Sequence, residues 1–414
     1  MPKDRNGHAL STTSAAAEAY DRGVENMLSA NKGAAEAFGK ALAEDPYYAP
    51  AHAALARHHQ MHANRAEAKA ALALAREHAG RFAGREAGLT HCLALVVEGK
   101  AADALPAIHA HMRAYPQDAL ALSPCCGVFG LYGFSGRVGR DRLLRDYLDG
   151  LAGGFGEDWW FLVQHGFAMI ETGDVDAGAA KVDRALALYP REGNGAHIRA
   201  HAHYERGEAA AGYAALGAWM DGYARESLLY CHLDWHRALW ALALGRRADA
   251  WAIYRQGVAP GAIWGPSLNV ATDAAAFLLR AELAGEARPR EEWRRVADYC
   301  AAEFPRGGIA FLDVHALLAA AMAEDAAGFE KRRTDLRGPA ADIVAGLGEA
   351  FAAYARGAAG ACADALGPWL ATHERIGGSR AQRDLLEELH LAALAGAGRT
   401  QDAAAFARAR RRGL

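Results

Sequence analysis

Two pairs of histidines with helical spacing are the residues best suited to chemistry in this chain. The first pair is His197 and His201, and His203 follows two residues later. The second pair is His232 and His236, in the sequence His-Leu-Asp-Trp-His. Residues four apart on a helix lie on one face, so each pair points both imidazoles in the same direction. Two such helices side by side would gather four imidazoles, which suits a divalent transition metal or acid–base chemistry.

Further candidate ligands come from a later segment. Asp313 and His315 stand in Phe-Leu-Asp-Val-His and are expected to open another helix. Sites made only of histidines are rarer than sites that include a carboxylate or thiolate, so this pair could complete the cluster. Asp313 is equally suited to the positive end of a helix dipole. Asp234 lies off the face of the second histidine pair and is expected to meet Arg237 or solvent.

Alanine dominates the segments that carry these residues. Alanine-rich runs recur throughout the 414 residues, whereas runs of β-branched or aromatic residues are scarce. Alanine is the best helix former and allows helices to approach closely, so the composition predicts an all-α protein. The first ten residues are polar and contain glycine, and we expect them to lie extended along the body.

Small residues, aromatics and prolines recur at the spacing of tetratricopeptide repeats. Two of the matches are Ala34, Phe38, Ala41 and Pro46, and then Gly178, Val182, Ala185 and Pro190. The pattern predicts a tetratricopeptide-like right-handed α-solenoid of antiparallel helix pairs, with degenerate C-terminal helical repeats. Residues 1–30 would form an N-terminal extension and first helix, and residues 31–284 the tetratricopeptide-like repeats. Residues 285–414 would continue the same array.

The repeat register assigns the histidines to the concave surface. Pro190 closes one unit, so the first helix of the next unit begins near Gly193 and presents His197 and His201 to the groove. Residues 232–236 then lie on the first helix of the following unit. His203 would turn toward the packing side. Five other histidines are expected to be scattered on the surface, namely His58, His59, His62, His109 and His111.

Charge and composition exclude several classes of function. The net charge is −3, with 46 basic and 49 acidic residues, so we expect no nucleic-acid partner. The chain shows neither a signal segment nor a long apolar stretch, which predicts a soluble, cytoplasmic protein without a membrane partner. Its six cysteines are widely spaced and are expected to be reduced. Phosphate-loop, dinucleotide-binding and zinc-protease motifs are absent from the sequence.

The polar signatures resemble those of the tetratricopeptide repeat protein 38 family over nearly the whole chain. They are Leu10-Ser11-Thr12-Thr13-Ser14, Asp45-Pro46 with His52, Arg85-Glu86 with His91, the 197/201/203 histidines, Cys231-His232 with Trp235-His236, Asp273 with Arg280, Asp313 with His315, and Gly377-Gly378-Ser379-Arg380-Ala381-Gln382-Arg383-Asp384. The resemblance implies an α-solenoid that closes on itself, in a family described chiefly as repeat proteins without an established activity. Cys126-Gly127 and Glu192-Gly193-Asn194 depart from the family pattern.

The C-terminal signature combines a turn, a cap and a charge. Gly377 and Gly378 permit a tight turn, and Ser379 can cap the helix that follows. Arg383 would lie near the positive end of that helix, so it needs an anionic partner. That partner is either a buried carboxylate or a bound ligand. The same two alternatives apply to Arg280 with Asp273.

The sequence therefore predicts a concave pocket that binds a small ligand or a protein segment. Its candidate residues are His197, His201, His232, His236, Asp313, His315 and Arg383, with the first four as metal ligands. The alternative is an enzyme in which these histidines bind a divalent transition metal or act as general acid and base. A third hypothesis is a scaffold that recruits proteins, which the absence of a ladder of polar anchors disfavours.

Overall fold

The chain folds into an array of helices. The structure is a computed structural model that describes residues 1–412, and within that range it contains helices and turns but no β-strand. The N-terminal third consists of α1 (Ser14–Leu28), α2 (Ala34–Glu44), α3 (Ala49–Met61), α4 (Arg65–His78), α5 (Gly84–Val97), α6 (Ala101–Ala114) and the single turn α7 (Ala119–Leu122).

The histidine pairs lie in the central third. It consists of α8 (Arg140–Phe155), α9 (Trp159–Glu171), α10 (Val175–Leu188), α11 (Gly193–Glu205), α12 (Ala209–Met220), α13 (Tyr230–Ala243) and α14 (Arg247–Ile253), which a π-helical turn (Tyr254–Val258) continues. The C-terminal third consists of α15 (Ser267–Leu283), α16 (Arg290–Glu303), α17 (Ala310–Met322), α18 (Ala326–Thr334), α19 (Ala341–Ala355), α20 (Ala359–Leu366), α21 (Arg380–Gly396) and α22 (Thr400–Arg412).

Consecutive helices pack as antiparallel pairs, and small residues bring them together. A Cβ added at Gly166 on α9 would lie 2.7 Å from the carbonyl oxygen of Gly178 on α10, so both positions require glycine. In the same way, Gly23 on α1 leaves room for the ring of Phe38 on α2. The inner helices α13, α15, α17 and α19 then pack side by side, which builds the repeat-like array that the sequence predicts.

The helix α15 is the centre of the largest core. Every residue from 269 to 281 is buried. The helix contacts α13, α16, α17 and the later helix α21, so it is covered on all sides. A helix that is apolar on nearly every face in this way needs neighbours all round, and alanines allow those neighbours to approach closely.

The array closes on itself through α21. This helix contacts α11 and α15, which both lie much earlier in the chain. The Arg383 guanidinium forms an ion pair with Asp141 on α8 at 3.1 Å, and Arg380 forms one with Glu205 on α11 at 3.3 Å. The C-terminal segment therefore packs against helices from the middle of the chain.

Two expectations about local structure are wrong. The N-terminal residues fold into a tight loop closed by a bridge between Lys3 and Ala9, because the Asp4 carboxylate accepts hydrogen bonds from two backbone N–H groups inside the loop. His111 is buried rather than superficial, and its Nε2 lies 2.9 Å from Asp118. Farther along the chain, α20 is followed directly by a 3₁₀ segment (Gly367–Ile376), since Pro368 removes a backbone donor.

None of the helices among residues 1–412 combines the length and apolar character needed to cross a bilayer.

Candidate metal centre and its cavity

The two histidine pairs converge on the seam between α11 and α13. The backbones of these two helices make few close approaches to each other, and the imidazoles fill the space between them. Ring centroids in contact lie between 4.6 and 5.3 Å apart. His201, His232 and His236 are buried, and His197 is partly buried. The predicted convergence of the four side chains is confirmed.

The spacing of the ring nitrogens suits a metal ion. One nitrogen from each of the four histidines can be chosen so that all lie within 4.8 Å of one another. The closest pair is Nε2 of His197 and Nε2 of His201, at 3.0 Å. A tetrahedral ion with bonds of about 2.0–2.1 Å would hold its nitrogen ligands about 3.3 Å apart, which lies between these two distances. Small rotations of the side chains would therefore be enough to form a ligand shell.

Carboxyl groups lie next to two of the imidazoles, those of His232 and His201. The Nδ1 of His232 lies 2.6 Å from Oδ2 of Asp273 on α15, so the ring donates from Nδ1 and keeps a lone pair on Nε2. The Nδ1 of His201 lies 3.7 Å from Oε1 of Glu171 on α9. Metal-binding histidines usually direct their second nitrogen to such a carboxylate. Asp273 would also offset part of the charge of a divalent cation, whereas burial raises the pKa of Glu171 to about 8 and keeps that carboxyl mainly protonated at neutral pH.

Hydrogen bonding within the cluster is incomplete. The Nε2 of His236 and the Nδ1 of His201 are buried, and neither finds a hydrogen-bond partner among residues 1–412. Buried polar atoms normally find a partner, and an unprotonated nitrogen in this position can accept a metal ion. Burial lowers the pKa of His236 well below its ordinary value, and burial together with His232 lowers the pKa of His201 to about 3. Both rings are therefore neutral near pH 7, which metal binding requires.

Aromatic side chains enclose the cluster. The indole of Trp235 stacks on His232 with an interplanar angle of 14°, and Phe167 lies against His201 with 5.1 Å between ring centroids. Trp235 is completely buried. These rings fix the imidazoles and keep the surroundings of low polarity, where electrostatic interactions are strong.

A cavity of about 840 Å³ opens onto the cluster. His197, His201 and His232 line it, whereas His236 lies behind them. Most of the wall is apolar, and polar side chains including Gln164 and Asn269 join the histidines. This size and this mixture are typical of sites for small organic molecules.

Asp313 and His315 have other partners and do not line this cavity. Asp313 occupies the first turn of α17, where its carboxylate accepts from the backbone of Gly308 and pairs with Arg332 at 3.1 Å. This is the helix-terminus alternative that the sequence left open. The Nδ1 of His315 donates to the carbonyl of Phe311. The structure therefore keeps both side chains out of the histidine cluster.

The two arginines singled out from the sequence form ion pairs. Arg383 is 5% exposed and pairs with Asp141, and it also donates to the carbonyl of Gly378. Arg280 pairs with Glu388 on α21 at 3.0 Å, not with Asp273. Asp273 instead accepts a hydrogen bond from Nδ1 of His232. The structure thus provides a buried carboxylate for Arg383, which was one of its two predicted alternatives.

Two other polar residues near the histidines, Asp234 and His203, have partners outside the cluster. Asp234 pairs with Arg237 at 2.9 Å, as predicted. His203 points away from the cluster and contacts Glu208 near the surface, not the packing side. Sequence reasoning missed the roles of Glu171 and Asp273 beside the histidines. Both lie on neighbouring inner helices, so their place in the repeat register was the available signal.

A comparison of the whole chain with known protein families gives no matching family model.

Proposed function

We propose that this protein binds a divalent transition metal through His197, His201, His232 and His236, and holds a small organic molecule in the adjoining cavity. The observation that carries the proposal is the convergence of four ring nitrogens within 4.8 Å at the wall of an 840 Å³ cavity. The pairing of His232 with Asp273 supports it, because that contact prepares Nε2 as a ligand.

A small molecule fits the site better than a peptide. Peptide-binding solenoids present a long open groove, whereas here α21 packs against α11 and α15 on the concave side. The remaining space is a cavity with one polar region. The scaffold hypothesis is therefore the weakest of the three.

The second candidate function is a metal-dependent enzyme acting in the same cavity. It is favoured by the position of His197, His201 and His232 on the cavity wall, which would expose a bound ion to the contents of the cavity. Four imidazoles carry no charge, so the ion's charge would be offset only by the carboxyl groups beside the cluster and much of it would act on a substrate. An ion with more than four coordination positions would polarise that substrate or activate a bound water. Acid–base catalysis by the histidines alone is the metal-free version of this candidate.

We further propose that the array is a right-handed tetratricopeptide-type solenoid related to the tetratricopeptide repeat protein 38 family, and that it works in the cytoplasm. The paired helices and the closure by the signature at residues 377–384 support the relationship. All six cysteines lie in the described part of the chain and remain free thiols, which suits a reducing compartment.

Elemental analysis of untagged protein purified without chelator tests the metal site. We expect close to one equivalent of a transition metal per chain. The double variant His201→Ala, His236→Ala should lose it, since two of the four ligands are gone. The matched control His203→Ala removes a histidine from the same helix α11 and should keep the metal.

Two results would reject the proposal of a metal site. One is a wild-type protein that contains no metal and takes none up when supplied with Zn²⁺ or Co²⁺. The other is metal that persists unchanged in the folded double variant. If metal is present, product formation from hydrolysable or oxidisable substrates in its presence, and its loss in the double variant, separates an enzyme from a binding protein.

A further inference from the structure

Arg57 provides a positive charge to the cavity that holds the histidine cluster. It lies on α3 and lines the cavity wall. Its Nη1 donates to Oε1 of Gln60 at 2.6 Å. The amide nitrogen of Gln60 in turn donates to the carbonyls of Val96 and Val97 at the end of α5, at 3.0 and 3.3 Å. The guanidinium is therefore held in one orientation by a neutral side chain that is itself anchored.

This guanidinium has no counter-ion within residues 1–412. No carboxylate among those residues forms an ion pair with Arg57, and its buried Nε has no hydrogen-bond partner there. The nearby Glu98 also lines the cavity, but it is already paired with Arg76 and Lys100. Burial lowers the pKa of Arg57 to about 10, so the side chain still carries its charge at neutral pH. A partly buried positive charge without a counter-ion gains stability when an anion pairs with it.

The surroundings of Arg57 are apolar. Met61, Leu72 and Val97 line the cavity from the helices near it, and Phe129 and Phe167 line it farther along the chain. An inorganic anion would make no contact with this apolar wall. A molecule with a hydrocarbon body and one acidic group would cover the wall and neutralise the arginine together.

We propose that the molecule bound in the cavity is an apolar organic carboxylate whose acid group is held by Arg57. Nη1 is occupied by Gln60 and Nε is buried, so Nη2 is the donor left for the first contact with a carboxylate. The inference rests on the small-molecule function proposed above and names the class of ligand.

Arg57 on α3 and three of the histidines on α11 and α13 line the same cavity, so one bound molecule can contact both.

Calorimetric titration of the purified full-length chain with matched acids and amides tests this assignment. Octanoic, dodecanoic and hexadecanoic acids are compared with their primary amides, which keep the shape and lack the charge. We expect at least one acid to bind about tenfold or more tightly than its amide, the ratio that a charged hydrogen-bonded pair supplies. Arg57→Gln should abolish that preference, and Arg57→Lys should restore part of it. Arg65→Gln, which removes an exposed cation lining the same cavity, should leave it unchanged.

The results separate this inference from the proposed function. Equal binding of every acid and its amide, or an acid preference that survives in folded Arg57→Gln, overturns the role of Arg57. Metal content is measured on the same samples, and Arg57→Gln should keep its metal because it removes none of the ligands. Acid binding through Arg57 in a protein without metal would support the inference while rejecting the metal site.

Discussion

At the scale of single residues, carboxyl groups on neighbouring helices determine the state of the histidines. Asp273 fixes the tautomer of His232, and Glu171 lies beside the second nitrogen of His201. Neither acid was chosen from the sequence as a partner of these rings. The histidines supply the ligand nitrogens. The contact with Asp273 occupies Nδ1 of His232 and leaves Nε2 of that ring for a metal.

Removing the charge of Asp273 should weaken metal binding. In Asp273→Asn the amide oxygen can still accept from Nδ1 of His232, so the ring keeps its position but loses the carboxylate beside it. We expect affinity for Zn²⁺ to fall by about 10- to 100-fold. Competition with a chromophoric chelator measures this change. Asp234→Asn is the matched control on α13 itself, because Asp234 pairs with Arg237 and should leave the affinity unchanged.

Glu192 gives a prediction for pH. It is fully buried at the N-terminus of α11, and burial raises its pKa to about 8, well above the ordinary value of 4.5. Between these values the native carboxyl keeps a proton that the unfolded chain releases. The free energy of unfolding should therefore fall as pH rises from 4.5 to 8, by at most about 1.4 kcal/mol per pH unit.

Glu192→Gln should remove this part of the pH dependence, since the amide does not titrate. Urea unfolding at several pH values from mildly acidic to mildly alkaline measures it. The variant should gain stability relative to wild type as pH rises. Glu208→Gln, at the equivalent but exposed N-terminal position of α12, should not produce that gain. Parallel curves for wild type and Glu192→Gln would show that the carboxyl is ionised in both states.

At the scale of elements, α21 converts an open array into a closed one. Its N-terminus is prepared locally by a capping box between Ser379 and Gln382, which the sequence indicated in part through the Gly-Gly-Ser turn. Its docking depends on charges from distant helices. Arg383 reaches Asp141, which is 242 residues earlier in the chain. A partner at that separation has no local signature, so the sequence predicted the need for an anion but not its identity.

The Arg383 and Asp141 pair should contribute to this docking. Arg383→Met removes the closer of the two arginines that pair with the mostly buried Asp141 carboxylate and leaves Arg140 at 3.5 Å, so we expect the free energy of unfolding to fall by about 2 kcal/mol. A double-mutant cycle with Asp141→Asn should give a coupling of about 1 kcal/mol or more. Urea unfolding supplies all four values. The same cycle on the exposed pair Arg399 and Asp364 should give no measurable coupling.

Additive effects in the Arg383 cycle would contradict the structural role of this ion pair. In that case the alternative of a ligand contact for Arg383 would regain support. Affinity for the carboxylic acids measured in Arg383→Met decides between the two, because an ion pair that only docks α21 should leave the ligand class unchanged.

At the scale of the whole molecule, the metal site joins two parts of the array. The backbones of α11 and α13 approach each other little, so a bound ion would cross-link helices that otherwise meet through side chains. Repeat arrays are stabilised mainly by contacts between neighbours, and a cross-link at a loose seam should raise the cooperativity of unfolding.

Metal should therefore stabilise the entire chain. At free Zn²⁺ a hundredfold above its dissociation constant, stability should rise by about 2.7 kcal/mol relative to chelator-treated protein. Differential scanning calorimetry measures the shift, and a narrower transition is expected in the loaded protein. In the His201→Ala, His236→Ala variant the same addition should leave the transition where it was.

The sequence predicted the helices and the meeting of the histidines well because both depend on local periodicity. The helix predicted to begin near Gly193 is α11, and the register that followed from Pro190 brought His197 and His232 to the same seam. It could not predict that His232 would pair with Asp273 or that Arg57 would be left without a counter-ion. Those contacts depend on how the array curves, which is set by the packing of many helices together.

Titration of chelator-treated protein with Co²⁺, followed by visible absorption, tests the central claim most directly. The account predicts saturation at one Co²⁺ per chain, with spectral bands of a nitrogen-ligated ion. The bands should be absent from the folded His201→Ala, His236→Ala variant and present in His203→Ala. Binding that never saturates, or a spectrum that is the same in the double variant, would contradict a metal centre formed by these four histidines.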